Sequence, residues 1–272
     1  MSDAGLFSVA GKTALVTGGA TGIGRMSATA LAASGARVLI ASRKGEDCMR
    51  AATEINSSGF PGSVEGFGGD VSTAAGIAAL ADEVRNRTDR LHILLNNAGA
   101  TWGAPLEDFP YDAWAKVMGV NVAGLFTLTR DLLPLLERTA CDTDPARVIN
   151  LGSIMGTQPV ADGAWSYSAS KAAVHHLTRI LANEFAELRI TVNALAPGPF
   201  RSRMTAFATG TDEKADKVGE GVPLGRIGSP DDIAGAVLYL CSRAGAYVTG
   251  AILPLDGGMS VMHGVNVFND AG

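Results

Sequence analysis

The sequence is poor in cysteine and has no long apolar run. Its three cysteines, Cys48, Cys141 and Cys241, show no paired spacing, which excludes a disulfide framework and a zinc site and predicts reduced, buried or half-buried thiols. No stretch approaches the roughly 18 apolar residues that cross a bilayer. The residues MSDAGLFSVAGKT lack a basic segment followed by an apolar core, so we expect no signal peptide. These absences predict a cytoplasmic protein without a membrane segment or a metal.

Basic residues are also scarce and scattered. The 272 residues include 22 Lys and Arg against 27 Asp and Glu, a formal net charge of −5, with no polybasic run. A nucleic-acid-binding protein usually carries a basic stripe, so we expect no nucleic-acid partner. Apolar residues make up 47% of the chain and charged residues 18%, which is typical of a globular protein with a substantial core.

Short Leu-rich or β-branched runs alternate with longer helical patterns along the chain. Strands that are apolar on both faces are typical of a parallel sheet, and their alternation with helices predicts a doubly wound α/β fold. We expect a single domain over residues 1–272, with about seven strands and helices on both faces of the sheet. The predicted strands lie in KTALVTG, RVLIAS, residues 63–67, LHILLNNAG, ARVINLGS, ITVNALAPG and GAILPLDGG.

Three longer segments complete this prediction. Residues 112–138 are typical of one long helix, and residues 229–243 of a helix that SPDD begins, with Ser as cap and acids at the positive end of the helix dipole. Residues 199–228 are too long for an ordinary connecting loop. We interpret them as a mobile substrate lid; the alternative is a surface excursion with short helices and no role.

A glycine-rich turn follows the first predicted strand. TGGATGIG places Gly18, Gly22 and Gly24 where the first helix begins. Glycines allow a tight turn and a close backbone approach, and the helix N-terminus then presents free N–H groups to a pyrophosphate. The turn therefore predicts a dinucleotide site.

The end of the second strand indicates which dinucleotide binds. An acid that would bond a ribose 2′-hydroxyl is expected about 20 residues past the glycines, but Ser42 and Arg43 stand there. Arginine can hold a 2′-phosphate with paired donors, whereas aspartate would repel it. We therefore predict NADP(H). The alternative is that Arg43 and Lys44 are only the solvated end of a strand.

Tyr167 and Lys171 lie one helical turn apart in SYSASKAAVHHL. A phenol with a pKa near 10 is a poor proton donor at neutral pH, and a neighbouring cation lowers that pKa. Ser153 lies at the end of the fifth predicted strand, where ligands bind in such folds. Asn121 interrupts an apolar helical stretch, where we expect an asparagine only if its side chain makes hydrogen bonds. These four residues are candidates for proton transfer.

Taken together, these motifs resemble the short-chain dehydrogenase/reductase family over essentially the whole chain. TGGATGIG, NNAG, Asn121, Ser153, Tyr167–Lys171, Pro197–Gly198 and the terminal DGG occur in the family's order. The resemblance implies a Rossmann-type sheet and a catalytic tetrad. Tyr167 would be the general acid, Ser153 would bond the carbonyl, Lys171 would lower the tyrosine pKa and bind the nicotinamide ribose, and Asn121 would anchor a water.

The same resemblance implies a set of cofactor contacts. Asp70 and Val71 would meet the adenine, and residues 97–99 the ribose. Ser202 stands where the family usually has a Thr that bonds the carboxamide, and Thr21 where some members have a basic residue. The implied contacts are Gly18, Thr21, Gly22, Ile23, Gly24, Ser42, Arg43, Asp70, Val71, Asn97, Ala98, Gly99, Tyr167, Lys171, Pro197, Gly198 and Ser202.

A narrower likeness suggests the substrate. NNAGATWGAPLEDFP, PLLERTACDTDPARVINLGS and PGPFRSRMT are similar to rhamnolipid-type β-ketoacyl reductases, relatives of the 3-oxoacyl-carrier-protein reductases of fatty-acid metabolism. This implies reduction of a 3-oxoacyl thioester with NADPH. Two alternatives stay open: a dehydrogenase of a sugar, sugar acid, cyclic alcohol or steroid, and a non-catalytic NADP-binding sensor or scaffold.

Residues outside these motifs suggest the substrate side and the assembly. Arg201 and Arg203 could attract a carrier phosphate or pair with acids of the lid, and His92, His175 and His176 are interpreted as structural, packing or subunit contacts. The apolar tail 259–272 predicts a homo-oligomer, which the family resemblance makes a tetramer. An acyl pocket could be lined by Trp102, Leu106, Trp165, Phe200, Met204 and Phe207; ordinary packing is the alternative for each.

Overall fold

Seven parallel strands form the central sheet of the protein in the order β3-β2-β1-β4-β5-β6-β7. The computed structural model describes residues 5–262. The chain order reverses between β1 and β4, which creates the crevice at the carboxyl ends of the strands where ligands bind in such sheets. The strands are β1 (Thr13–Thr17), β2 (Arg37–Ser42), β3 (Ser63–Gly68), β4 (Ile93–Asn96), β5 (Ala146–Leu151), β6 (Ile190–Pro197) and β7 (Ile252–Leu255). The predicted doubly wound α/β sheet is confirmed.

Helices cover both faces of this sheet. One apolar core joins β1 and β2 to α1, α2 and α9, and the other joins β4 and β5 to α3, α5 and α6. The α-helices are α1 (Gly22–Ala33), α2 (Gly45–Asn56), α3 (Ala74–Arg87), α4 (Tyr111–Met118), α5 (Leu125–Glu137), α6 (Trp165–Glu184), α7 (Ala206–Thr209), α8 (Asp212–Glu220) and α9 (Pro230–Cys241). No helix within residues 5–262 is long and apolar enough to cross a membrane.

Two predicted segments differ in detail from the structure. The helix expected over 112–138 is interrupted at Gly119–Gly124 by a π-helical turn between α4 and α5. The segment 199–228 contains the short helices α7 and α8; that it acts as a lid stays a prediction. A 3-10 turn occupies Met259–Val261, and residues 263–272 of the predicted subunit-contact tail lie outside the described residues.

The cysteines are free thiols, as expected, but not all of them are buried. Cys48 and Cys241 are buried, and burial raises the pKa of Cys241 to about 12. Cys141 is exposed, so the prediction of burial is wrong for this residue, because it lies in the surface loop between α5 and β5. No cluster of metal-ligating side chains occurs among residues 5–262.

The contact between α2 and β3 depends on a glycine. A Cβ on Gly66 would lie 2.2 Å from the Cys48 carbonyl oxygen, whereas one on Gly68 would meet its nearest atom at 3.9 Å. We predict that Gly66→Ala lowers the free energy of unfolding by about 1–3 kcal/mol through overpacking. The matched Gly68→Ala should change it by less than about 1 kcal/mol. Urea unfolding of both variants tests this, and equal losses would contradict it.

Candidate active site

The glycine-rich turn joins β1 to α1 in a shape that suits a phosphate. Gly18 and Gly22 have φ of +66° and +54°, a region that side chains other than glycine's rarely enter. Helix α1 begins at Gly22 with no side-chain cap on its first N–H groups and no acid in its first turn. These donors and the positive end of the helix dipole are left for an anion.

Asn97 fastens the end of β4 to this turn. Its side-chain Nδ2 donates to the carbonyls of Thr17 and Gly18 at 2.9 and 3.1 Å, and its backbone N–H donates to the Thr17 hydroxyl. A Cβ on Gly18 or Gly24 would lie 2.8 or 2.4 Å from Asn97 Nδ2. These glycines therefore admit the asparagine as well as a ligand, and Asn97 holds the turn rather than facing the groove.

A groove of about 570 Å³ opens beside the turn, along the carboxyl ends of β1, β2 and β3. The residues from the implied cofactor set that line it are Gly18, Thr21, Ser42, Arg43, Asp70, Val71, Ala98 and Gly99. Lys44, Asp47 and Arg203, which sequence reasoning did not assign to the cofactor, line it as well. The Ser42 hydroxyl is used locally, since it donates to the Lys44 carbonyl and accepts from the Cys48 thiol.

The other implied cofactor residues do not line this groove. Gly22 packs against Ser202, because a Cβ there would lie 2.9 Å from the Ser202 Cβ. Gly198 packs on Asp256, whose carboxylate accepts from the N–H of Gly258. The remaining members are Ile23, Gly24, Asn97, Tyr167, Lys171 and Pro197. The glycine turn, its free helix terminus and the adjoining groove fit a dinucleotide.

The predicted proton-transfer residues come together at the next crevice along the sheet. Ser153 follows β5, and its hydroxyl accepts from the Met155 N–H at 3.2 Å. Tyr167 on α6 is near enough for Ser153 to lower the pKa of the phenol. The Lys171 Nζ lies 5.4 Å from the centroid of the Tyr167 ring and donates to the Leu151 carbonyl at 2.5 Å. A Cβ on Gly99, which lines the groove, would lie 3.9 Å from that Nζ. The Tyr-Lys pair therefore adjoins the dinucleotide groove.

Burial acts on both members of the Tyr167–Lys171 pair. Burial is the largest influence and raises the pKa of Tyr167, while Ser153 lowers it in part. Burial also lowers the pKa of Lys171 to about 8. The ammonium lies over the ring face and points to Leu151 rather than to the phenol oxygen. Ser153 therefore favours the phenolate in this arrangement, and the lowering of the Tyr167 pKa by Lys171 stays a prediction.

Asn121 lies in the π-helical turn, and hydrogen bonds of its buried side chain explain an asparagine at this position. Its Oδ1 accepts from the Ala100 N–H at 2.7 Å, and its Nδ2 donates to the Ala100 carbonyl and the Ser170 hydroxyl, both at 2.9 Å. Ser170 in turn donates to the Tyr167 carbonyl. The side chain thus connects the end of β4 to α6, and both of its N–H donors are spent on protein atoms.

The chain is similar to known proteins over most of its length. A family described as enoyl-(acyl carrier protein) reductase matches residues 18–260. The chain is 44% identical over 252 residues to the rhamnolipids biosynthesis 3-oxoacyl-[acyl-carrier-protein] reductase of Pseudomonas aeruginosa, covering 93% of this chain and 97% of that one. The chain belongs to the short-chain dehydrogenase/reductase family.

A solved structure and a second relative show the range of the short-chain dehydrogenase/reductase family. The solved Pseudomonas aeruginosa RhlG/NADP active-site complex is 43% identical, with a TM-score of 0.88 over 94% of this chain and 98% of that chain. The galactitol 2-dehydrogenase (L-tagatose-forming) of Cereibacter sphaeroides is 38% identical over 259 residues, covering 94% of this chain and 98% of that protein. Membership is therefore compatible with both thioester and polyol chemistry.

A buried polar chain that sequence reasoning missed supports the site of this dehydrogenase/reductase. Asn96 Nδ2 donates to Thr129 Oγ1 and Asn150 Oδ1 at 2.9 and 3.0 Å, and Asn150 Nδ2 donates to Thr178 Oγ1 at 3.0 Å. The chain joins β4 and β5 to α5 and α6 just beneath the tetrad. Its sequence signal was an asparagine in each of two otherwise apolar strands.

None of the side chains proposed for an acyl pocket lines the dinucleotide groove. Phe200 is buried in the core against Gly228, which favours ordinary packing, the alternative given for it. Trp165 is half-buried, and its indole N–H donates to the Ala104 carbonyl at 3.2 Å. The four that are exposed are Trp102, Leu106, Met204 and Phe207.

The two arginines of the segment 199–228 have different ion-pair partners. Arg201 pairs with Asp212 of the same segment, whereas Arg203 pairs with Asp47 on α2.

His175 packs directly behind Ser153, whereas His92 accepts from the Thr13 N–H and His176 is exposed. The His175 Nε2 accepts from the Ser153 N–H at 3.4 Å. A Cβ on Gly152 or Gly156 would lie 2.2 or 2.8 Å from its ring atoms. The two glycines on either side of Ser153 therefore admit this ring, which confirms a packing role.

Burial, with smaller contributions from Lys171 and Arg179, lowers the pKa of His175 to about 4. In the unfolded chain His175 is protonated as pH falls through about 6.5, whereas in the folded chain it stays neutral until pH is near 4. Protonation therefore favours the unfolded chain as pH falls from 7 to 5. We predict a loss of about 2 kcal/mol in the free energy of unfolding over that interval. His175→Leu should abolish this part of the loss. Urea unfolding at both pH values tests this, with the exposed His176→Leu as control; identical pH dependence in all three proteins would contradict it.

Proposed function

We propose that the protein is an NADPH-dependent reductase of a 3-oxoacyl thioester, carried by acyl carrier protein or coenzyme A, with the 3-hydroxy compound as product. The observation that carries this proposal is the juxtaposition of the Tyr167–Lys171 pair, with Ser153 beside it, and a groove that is lined by Gly99 and Arg43. The relatives that are similar over nearly the whole chain support the thioester.

The residues of the tetrad suit the protonation of a ketone. When bound, the reduced nicotinamide supplies the hydride for the carbonyl carbon. Ser153 donates a hydrogen bond to the carbonyl oxygen and orients it toward Tyr167, which gives its phenolic proton to that oxygen as the alcohol forms. The cation of Lys171 offsets part of the negative charge that then develops on Tyr167. Its Nζ lies near Gly99, where it would hold the nicotinamide ribose.

Asn121 acts on this reaction through α6. Its bonds to Ala100 and Ser170 set the distance between the end of β4 and the helix turn that bears Tyr167. Any water that it anchors has to use its remaining Oδ1 lone pair or its backbone, because both amide hydrogens are engaged. The assembled tetrad disfavours a purely non-catalytic NADP sensor or scaffold.

A dehydrogenase of a polyol or sugar is the second candidate, favoured by the similarity to galactitol 2-dehydrogenase. Substrate screening separates the two. With NADPH, we expect kcat/KM for acetoacetyl-CoA to exceed that for L-tagatose at least tenfold, because an apolar acyl chain suits the exposed Trp102 and Leu106. Oxidation of NADPH at 340 nm across a panel of 3-oxoacyl thioesters, ketoses and cyclic ketones measures this. Preferential turnover of a ketose would contradict the leading proposal.

Tyr167→Phe is the matched control for any activity found. It removes one hydroxyl and should lower kcat by a factor of about 10²–10⁴, the usual contribution of a general acid. Binding of NADPH, followed by fluorescence titration, should stay within a factor of two, because the groove is lined by other residues. Substantial turnover by this variant would overturn the role of Tyr167.

We also propose that the enzyme is a cytoplasmic homo-oligomer, in keeping with the expected tetramer. Large apolar side chains stand exposed on α4, α5 and α6, namely Trp114, Phe126 and Ile180, and apolar area of this kind favours association. Size-exclusion chromatography with light scattering at micromolar concentration should give a mass well above the 27.9 kDa of one chain. A mass near 28 kDa would contradict the proposal.

A further inference from the structure

Five charged side chains line the adenosine end of the dinucleotide groove: Arg43, Lys44, Asp47, Asp70 and Arg203. Arg43, Lys44 and Asp47 belong to the junction of β2 and α2, whereas Arg203 comes from the segment that follows β6. Arg203 Nη1 donates to Asp47 Oδ2 at 3.0 Å, a contact that spans 156 positions in the chain. This ion pair is therefore a tertiary contact across the mouth of the groove.

The backbone around Arg203 is held in place. The Thr205 hydroxyl donates to the Phe200 carbonyl at 2.6 Å and accepts from the Ser202 N–H at 3.1 Å. Ser202 itself rests on Gly22 of the glycine turn. The turn of chain at 200–205 thus lies directly on the phosphate cradle, and Arg203 extends from it toward α2.

The charged side chains at this end of the groove differ in whether they form salt bridges. Asp47 lies in the first turn of α2, and its hydrogen bond with Arg203 helps to keep its pKa below the usual value, so it is a carboxylate at neutral pH. Unpaired, it would repel a 2′-phosphate held by Arg43. Arg203 and Arg50 pair with it, whereas Arg43 and Lys44 have no salt-bridge partner among residues 5–262.

The pair between Arg203 and Asp47 is easily exchanged. The Arg203 side chain is 62% exposed, and ion pairs in contact with water contribute little to stability. A phosphate dianion offers more charge and three acceptor oxygens, and a guanidinium binds it with paired donors. Arg203 is within reach of the same pocket as Arg43, so a phosphate there can compete with Asp47 for it.

We propose that Arg203 is a specificity-determining residue for the cofactor: it exchanges Asp47 for the 2′-phosphate of the dinucleotide and joins Arg43 in holding it. The inference rests on the proposed function, because it needs NADP(H) as the ligand. In this arrangement the segment after β6, which rests on the glycine turn through Ser202, closes over the phosphorylated cofactor in preference to NAD(H). Asp47 holds the arginine at the groove until then.

Isothermal titration with two fragments isolates the 2′-phosphate: 2′,5′-ADP carries it and 5′-AMP lacks it. Arg203→Ala should weaken 2′,5′-ADP about tenfold, as expected for one charge-assisted contact, and leave 5′-AMP within a factor of two. Titrations with NADPH and NADH should show the same pattern. Arg201→Ala is the matched control, since Arg201 is two residues away, exposed and paired with Asp212 outside the groove; it should change neither affinity.

Two more variants complete the test. Arg43→Ala should also weaken 2′,5′-ADP selectively. Asp47→Asn, which removes the competing carboxylate, should tighten 2′,5′-ADP several-fold, whereas a merely structural pair would give no gain. Thermal unfolding of each variant confirms that it is folded.

The outcomes separate the two proposals. If the wild-type protein binds 2′,5′-ADP no better than 5′-AMP, both the NADP preference and the role of Arg203 are overturned. If Arg43→Ala loses the preference but Arg203→Ala keeps it, or if Arg203→Ala weakens both fragments equally, only the role of Arg203 is overturned. A selective loss in Arg203→Ala, with Arg201→Ala unchanged, supports it.

Discussion

The close approach of the end of β4 to the glycine-rich turn is the contact on which both halves of the site depend. Asn97 bonds the carbonyls of Thr17 and Gly18, and only residues without a Cβ at positions 18 and 24 leave room for its amide. The contact fixes the phosphate cradle against the strand that leads to Gly99 and Ala100. Because Asn121 bonds Ala100 on the far side, the cradle and the helix that bears Tyr167 are placed by one continuous set of hydrogen bonds.

Burial shapes the chemistry of the tetrad more than charge does. It raises the pKa of Tyr167 and lowers that of Lys171, and both shifts disfavour the charged forms. Ser153 opposes the first shift. A tyrosine kept protonated next to a serine donor suits a general acid that gives up its proton only when a carbonyl oxygen acquires negative charge. The reductive direction of the proposed reaction is consistent with this resting state.

The fold could be read from the sequence nearly in full. All seven strands were predicted because apolar runs buried on both faces stand out between helical patterns, and the glycine spacing placed the phosphate turn. The π-helical turn was missed, because its extra residue changes the hydrogen bonding but not the apolar pattern. For Phe200 the sequence left two readings open, because its apolar character is the same in a pocket and in the core; its packing on Gly228 favours the core.

The sequence by itself determined which chemistry is present: a tyrosine and a lysine one helical turn apart, a serine at a strand end, and an arginine where an acid would serve NAD. Each of these motifs lies within one helix or at one strand end. The geometry of that element is enough to predict which of its side chains lie close together. Contacts between residues that are far apart in the sequence were decided only by the tertiary structure. It placed His175 behind Ser153, turned Lys171 toward Leu151, and brought Arg203 to Asp47 across 156 positions, because each contact joins elements that only the folded sheet sets side by side.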